Sequence, residues 1–190
     1  ETGWRIDGIN TWIWAFLTKK EVCYTAEESR GKGVAVDFFK DSPKESILVR
    51  DDYAAYKNLQ MRHQSSWSHL LRKSHEEVSQ DNATEEVKEL HKKVKAYYED
   101  LKKAIEKPFK KKEREEIYNK YLKKVEDIIK EKYRYEDTKR IQGRIKNQGK
   151  NLLTAVLYKD VPLTNNLAER CIRPLVVTRK ISGGSRSTKG

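Results

Sequence analysis

From about Trp67 to Val156 the apolar residues of this chain return every three or four positions, and few folds accommodate so long a helical period. Val87, Leu90, Val94, Tyr97 or Tyr98, Leu101 and Ile105 predict one long amphipathic helix, beginning at Asn82, with Glu85 placed for a capping box, and stopping before Pro108. Ile117, Tyr121, Val125 and Ile128 or Ile129 predict a second. Ile141, Ile145, Leu152 and Val156 predict a third, loosened by Gly143 and Gly149. The opposite faces are mostly Lys and Glu, a pattern that reads as solvated surface with supporting helical ion pairs rather than as a DNA-reading face.

Ahead of this region the period is two. Trp4 and Ile6, then Trp12, Trp14 and Phe16, alternate around a turn centred on Asp7-Gly8, which predicts a hairpin, and Val22 to Thr25 continues the rhythm. The tryptophans are expected to pack the sheet and core rather than to stack bases. Gly31 and Gly33 punctuate the chain before a helical stretch through Val34, Val36, Phe38 and Phe39. Ile47-Leu48-Val49 has the β-branched character of a buried central strand, and it ends in Arg50-Asp51-Asp52. Strands, a helix and an acidic strand end open a mixed α/β domain. Near the C-terminus Asn165 or Asn166 is placed to cap a last helix carrying Leu167, Glu169, Cys171, Ile172 and Leu175, and Ser182-Gly183-Gly184-Ser185 reads as a flexible tail.

Composition narrows the function classes. A net charge of +12 and a pI near 9.5 over 190 residues favour polyanionic partners, nucleic acid first. Cys23 and Cys171 are far apart and lack metal-ligand spacing, so neither a disulfide framework nor a zinc site is indicated, and a reducing compartment is expected. No apolar run approaches a membrane span, and the start shows no signal peptide. The opening at Glu1, a single methionine at Met61 and the final Gly190 read as an excised fragment.

Two-metal phosphoryl transfer needs carboxylates that converge on divalent cations, and sequence proximity is immaterial. Asp51 at a strand end and Glu169 on a helix have the right chemistry, although on these residues alone a turn or helix-cap aspartate and a surface-helix glutamate are the preferred readings. Four segments make the pattern specific: Glu1-Thr2-Gly3-Trp4-Arg5, Val49 to Tyr56, Trp67 to Lys73, and Thr164-Asn165-Asn166-Leu167-Ala168-Glu169-Arg170. In order and spacing they resemble the landmarks of insertion-sequence-sixty-six type transposases, and Arg173-Pro174 with Arg179 to Gly184 extends the resemblance over nearly the whole chain.

The resemblance implies a ribonuclease-H-like mixed sheet flanked by helices, with an inserted helical subdomain at 74–150 between core segments 1–73 and 151–190. It implies an Asp-Asp-Glu triad holding two divalent ions, Mg²⁺ with Mn²⁺ as substitute. In it Asp51 is the second aspartate, Glu169 the glutamate, and the first aspartate immediately precedes Glu1, so the chain as it stands is expected to be inactive. Asp52 and Arg50 depart from the family pattern, which has Gly and a small hydroxyl residue there; Asp52 is either a spare ligand or a helix-starting residue. His69 falls in a Cys-x-x-His position whose first member is here Ser66, and a hydrogen-bonded structural histidine is expected. Arg170, Arg173 and Lys180 are candidate phosphate contacts, as are Asn165 and Asn166 unless they only cap the helix.

The implied function is metal-dependent cleavage of transposon ends and strand transfer into target DNA, by a homodimer or higher synaptic assembly in a bacterial or archaeal cytoplasm, associated with the nucleoid. Two other classes fit the residues: a non-catalytic DNA-binding module, and a helical interaction protein using residues 82–135 as a coiled-coil-like surface.

Overall fold

The computed structural model describes residues 1–106 and 110–186. Among the described residues, five strands and seven helices follow in the order β1 (Thr2–Ile6), β2 (Ile9–Leu17), β3 (Val22–Glu27), α1 (Lys32–Phe39), β4 (Ile47–Arg50), β5 (Arg62–Ser65), α2 (Trp67–Val78), α3 (Glu85–Ile105), α4 (Lys111–Lys130), α5 (Glu136–Gln148), α6 (Thr154–Leu157) and α7 (Asn166–Ser182). They sort into two compact units: one of residues 1–42, 53–59 and those from Asn165 on, the other of residues 43–52 and 60–164. Among the described residues, no helix is long and apolar enough to cross a membrane.

The first unit is built on the antiparallel sheet β1-β2-β3. Its hairpin closes at Asp7-Gly8, where φ values of 50° and 79° give the left-handed pair of a two-residue turn whose twist suits the flanking strands. Trp14 and Phe16 point to one face, and Phe16 stacks on Phe38 of α1 with ring centroids 3.7 Å apart. The Trp14 indole is buried and donates to Ser29 O at 3.2 Å, so packing rather than base stacking occupies it.

The stretch anticipated as a flexible tail is ordered instead. Gly183 ends α7 at φ 75°, and Ser185 bridges to Ile6 while its Oγ accepts from Trp4 Nε1 at 2.8 Å. At Gly184, φ is 141° and a Cβ would collide with Arg5 O, so only glycine fits this close approach.

The second unit buries one apolar cluster, in which Trp67 and Leu70 of α2 meet Val87, Leu90, Val94 and Leu101 of α3, Tyr121, Val125 and Ile128 of α4, and Ile141 and Ile145 of α5. These are the periodic residues of the sequence. Between 85 and 130 the described residues hold helix and no strand. Helix α3 begins later than Asn82 because Thr84 is its cap: Thr84 Oγ1 accepts from Val87 N and donates to the Asp137 carboxylate, which also accepts from Thr84 N. The anticipated stop at Pro108 lies outside the described residues.

The anticipated third helix is broken. Gly143 passes inside α5, but Gly149 takes φ 46°, and a 3₁₀ turn over Gly149–Leu152 separates α5 from α6. The single mixed sheet also resolves differently: β4 pairs in parallel with β5 in a two-stranded sheet, and the strand anticipated as central is half-buried with this one partner. Strand β5, of sequence Arg-His-Gln-Ser, has no apolar residue, and its Gln64 and Ser65 are nonetheless buried.

Candidate functional site

In the second unit the candidates Asp51 and Asp52 follow the C-terminal end of β4. Parallel pairing sets Arg50 opposite Ser65, and Ser66 N donates to Arg50 O at 2.8 Å, which pins the strand end just before Asp51. The Arg50 side chain closes this apolar strand and is only 5 % exposed. Its Nη1 donates to Asp51 O at 2.8 Å and its Nε to His63 Nδ1 at 3.1 Å. Because a guanidinium only donates, His63 Nδ1 must be the accepting nitrogen. Burial pulls the Arg50 guanidinium below its ordinary value, and the nearby Asp52 and Asp51 carboxylates oppose that pull.

Asp52 does not start a helix, and among the described residues it belongs to no group of three or more His, Cys, Asp or Glu side chains that could hold a metal ion. It lies two residues past the end of β4, and its Oδ2 pairs with Arg144 Nη1 of α5 at 3.3 Å, while its buried Oδ1 accepts no hydrogen bond from the described residues. His69 sits half-buried in the first turn of α2, and Ser66, the position before that turn, is buried with its Oγ 2.8 Å from Ser68 Oγ.

The other candidates belong to the first unit. Asn165 stands at the N-cap of α7, and Glu169 N donates to its carbonyl, but its side chain caps no first-turn amide. Asn166, Glu169, Arg170, Arg173 and Lys180 recur at helical spacing and share one stripe of α7. Four of them are exposed, and Glu169 is half-buried. Arg179 departs from the stripe and donates to Thr2 Oγ1 at 3.1 Å and Gly3 O at 2.8 Å, which ties α7 to β1. Asp51 and Glu169 thus lie at a strand end and on a helix, as read from the sequence, one in each unit.

Sequence reasoning missed three features. Glu1 is almost enclosed, its side chain 4 % exposed, accepting from Arg30 Nη2 at 2.7 Å and Tyr56 Oη at 3.1 Å. Arg30 itself lies over the rings of Trp12 and Tyr53, 4.9 and 4.4 Å from their centroids. The third is the pair of hydrogen bonds that Arg50 donates. A lone arginine ending an apolar strand was the available signal for it; nothing in the sequence pairs Glu1 with Arg30.

Carboxylate oxygens are the hard donors that Mg²⁺ and Mn²⁺ prefer, so Asp51 and Glu169 have the right chemistry for such ions. Among the described residues, however, no three His, Cys, Asp or Glu side chains form a metal-binding group. The family model described as Transposase IS66 family matches residues 1–190, the whole chain. No curated protein and no solved structure matches it.

Proposed function

We propose, from the premise that this chain belongs to the IS66 family of transposases, that it contributes Asp51 and Glu169, the second aspartate and the glutamate of an Asp-Asp-Glu triad, to a DDE-type enzyme that cuts transposon ends and joins them to target DNA. Membership in a transposase family implies DNA as partner, and the net charge of +12 suits a polyanion. The observation that carries the proposal is the family match over the whole chain.

Asp51 and Glu169 are the metal ligands in this reading, and Mg²⁺ or Mn²⁺, when bound, neutralises phosphate charge and activates the attacking oxygen. The protein's own groups bind and orient. Arg170, Arg173 and Lys180, with Asn165 and Asn166, hold phosphates beside Glu169 through charge-assisted hydrogen bonds, which position DNA without reading its bases. Water and then a DNA 3′-hydroxyl are the nucleophiles, so no covalent protein intermediate forms. Asp52 is an auxiliary residue in this reading: its Oδ2 pairs with Arg144 and ties the strand end to α5.

The same reading makes residues 74–150 a helical insertion in a ribonuclease-H-like core of 1–73 and 151–190, acting as a dimer or larger assembly on paired DNA ends. The helical content of α3, α4 and α5 supports the insertion.

The test is nicking of a transposon-end duplex by the full-length protein with Mn²⁺. Asp51→Asn and Glu169→Gln should each lower nicking by about 10³-fold or more, as expected when an electrostatic contributor to phosphoryl transfer is lost, while duplex binding survives. Undiminished nicking by either variant removes that residue from the mechanism. Binding without any Mn²⁺-dependent nicking in the unmodified protein would instead favour a non-catalytic DNA-binding module.

A further inference from the structure

The ion pairs expected of the Lys and Glu faces are present in the second unit: Lys73, Lys93, Lys130 and Lys139 each meet a carboxylate oxygen at 2.6 to 3.7 Å. One side of α3 departs from this pattern. His91, Lys95 and Lys102 recur at steps of four and seven, which sets them on one side of the helix, with Lys92 beside them. Lys92, Lys95 and Lys102 are exposed and enter no ion pair among the described residues. Glu99 shares this side, and the exposed Lys103 offsets it. Helix α2 widens the patch. Its Trp67 ring lies 5.8 Å from Tyr98 of α3 and its His75 ring 5.8 Å from His91, so the two helices run antiparallel, with Arg72 and His75 exposed along the same edge. Burial first, then the charges of His75 and Lys95, hold the His91 imidazole below its ordinary value, so the charges acting on it are positive. All of these residues belong to the second unit.

We infer that this side of the α2–α3 hairpin is a DNA surface additional to the α7 stripe, on which Arg72, His75, Lys92, His91, Lys95 and Lys102 hold the phosphate backbone of a duplex without reading its bases. The inference rests on the reading of this chain as a transposase that acts on DNA. Charge and length identify the occupant. Lys92 and Lys102 are ten residues apart, about 15 Å along the helix, and phosphates on one strand of a duplex rise by about 3.4 Å each. Several successive phosphates therefore fall within reach of one stripe. Lysine ammonium groups are point charges that accept phosphate in many orientations, whereas reading a base takes planar, bidentate pairs. The surface adds affinity and register, not sequence preference.

The experiment measures binding of the full-length protein to a transposon-end duplex and to an unrelated duplex of equal length, each across a range of salt. Lys92→Gln, Lys95→Gln and Lys102→Gln together keep good helix formers and remove three unpaired charges. The slope of log affinity against log salt should lessen by about 3, equally for both duplexes. The comparator combines Lys93→Gln, Lys130→Gln and Lys139→Gln, which lowers the net charge by the same amount at lysines already held by carboxylates. Its slope should hold. In the unmodified protein, bound duplex should shield Lys92, Lys95 and Lys102 from acetic anhydride while Lys130 and Lys139 react as they do without DNA.

An unchanged slope in the α3 variant, or an equal loss in the comparator, overturns the surface and leaves DNA standing as partner. A loss confined to the transposon-end duplex overturns it as well, because phosphate contacts carry no sequence. If the α3 variant does not fold, acetylation decides: Lys92, Lys95 and Lys102 that stay reactive under bound duplex overturn the surface. Absence of salt-dependent duplex binding by the unmodified protein overturns the DNA reading and this inference together.

Discussion

Gln64 shows how a single polar side chain can serve as a core residue. It is fully buried; its Nε2 donates to Ser65 O at 2.7 Å and Leu152 O at 3.2 Å, and its Oε1 accepts from Ala155 N at 2.7 Å. It thereby satisfies backbone groups where α5 gives way to the 3₁₀ turn and α6, and Trp67 Nε1 reaches the same Leu152 carbonyl. Replacing Gln64 by Leu should cost about 1–3 kcal/mol by orphaning the Ala155 amide, measurable by denaturant unfolding. Gln64→Glu should cost more at neutral pH, because a carboxylate would face two carbonyl oxygens, and should recover part of the loss on acidification. At Gly184 the constraint is steric. Gly184→Ala should lower the unfolding free energy by about 1–3 kcal/mol, and hydrogen exchange should show faster opening of the Ile6–Ser185 bridge.

At the scale of elements, α2 and α3 pair around a histidine whose protonation the fold resists. His91 Nδ1 lies 2.7 Å from the buried Ser74 Oγ, and Ser74 Oγ donates to Leu71 O. The His91 and His75 rings stand 5.8 Å apart. Partial burial first, then His75 and Lys95, hold the His91 imidazole below its ordinary 6.5. A depressed histidine stabilises the fold above its unfolded value, and that stability is lost as pH falls through the lower folded value. Stability against thermal unfolding should therefore fall as pH drops below about 6.5, the unfolded value, and His91→Gln should flatten that slope. Helix α3 was legible in the sequence because its apolar residues face one shared core: Leu101→Ala should cost about 2–5 kcal/mol. Its first residue was not legible, since the Thr84 cap depends on Asp137, fifty-three positions away.

For the molecule as a whole, the excess of cations is the property with the most direct consequence. Duplex binding by the full-length protein should weaken linearly in log affinity against log salt, the signature of counterion release. Alanine replacement of Arg170, Arg173 and Lys180 together should lessen the slope by about 3, one for each phosphate no longer neutralised. An unchanged slope would show that the α7 stripe does not face DNA. That stripe runs along a helix with no buried residue, where Leu167 and Val177 are exposed and Ile181 is 83 % exposed.

The sequence by itself determined what depends on local order: the hairpin at Asp7-Gly8, the amphipathic faces of α3 to α5, the β4 strand, the helix bearing Glu169, and the motif order that marks the family. Period and turn chemistry act between near neighbours, so they survive in one dimension. Tertiary structure alone decided the features whose causes are distant in the chain. Strand β5 carries no apolar signal and exists because β4 pairs with it and the backbone near Leu152 and Ala155 bonds Gln64. Ser185 is held in place because Arg5, Ile6, Asp7 and Trp4 receive it. Arg50 and Asp52 acquire roles only when folding brings His63 and Arg144 to them, since a buried charge is tolerable only beside partners that no local pattern specifies.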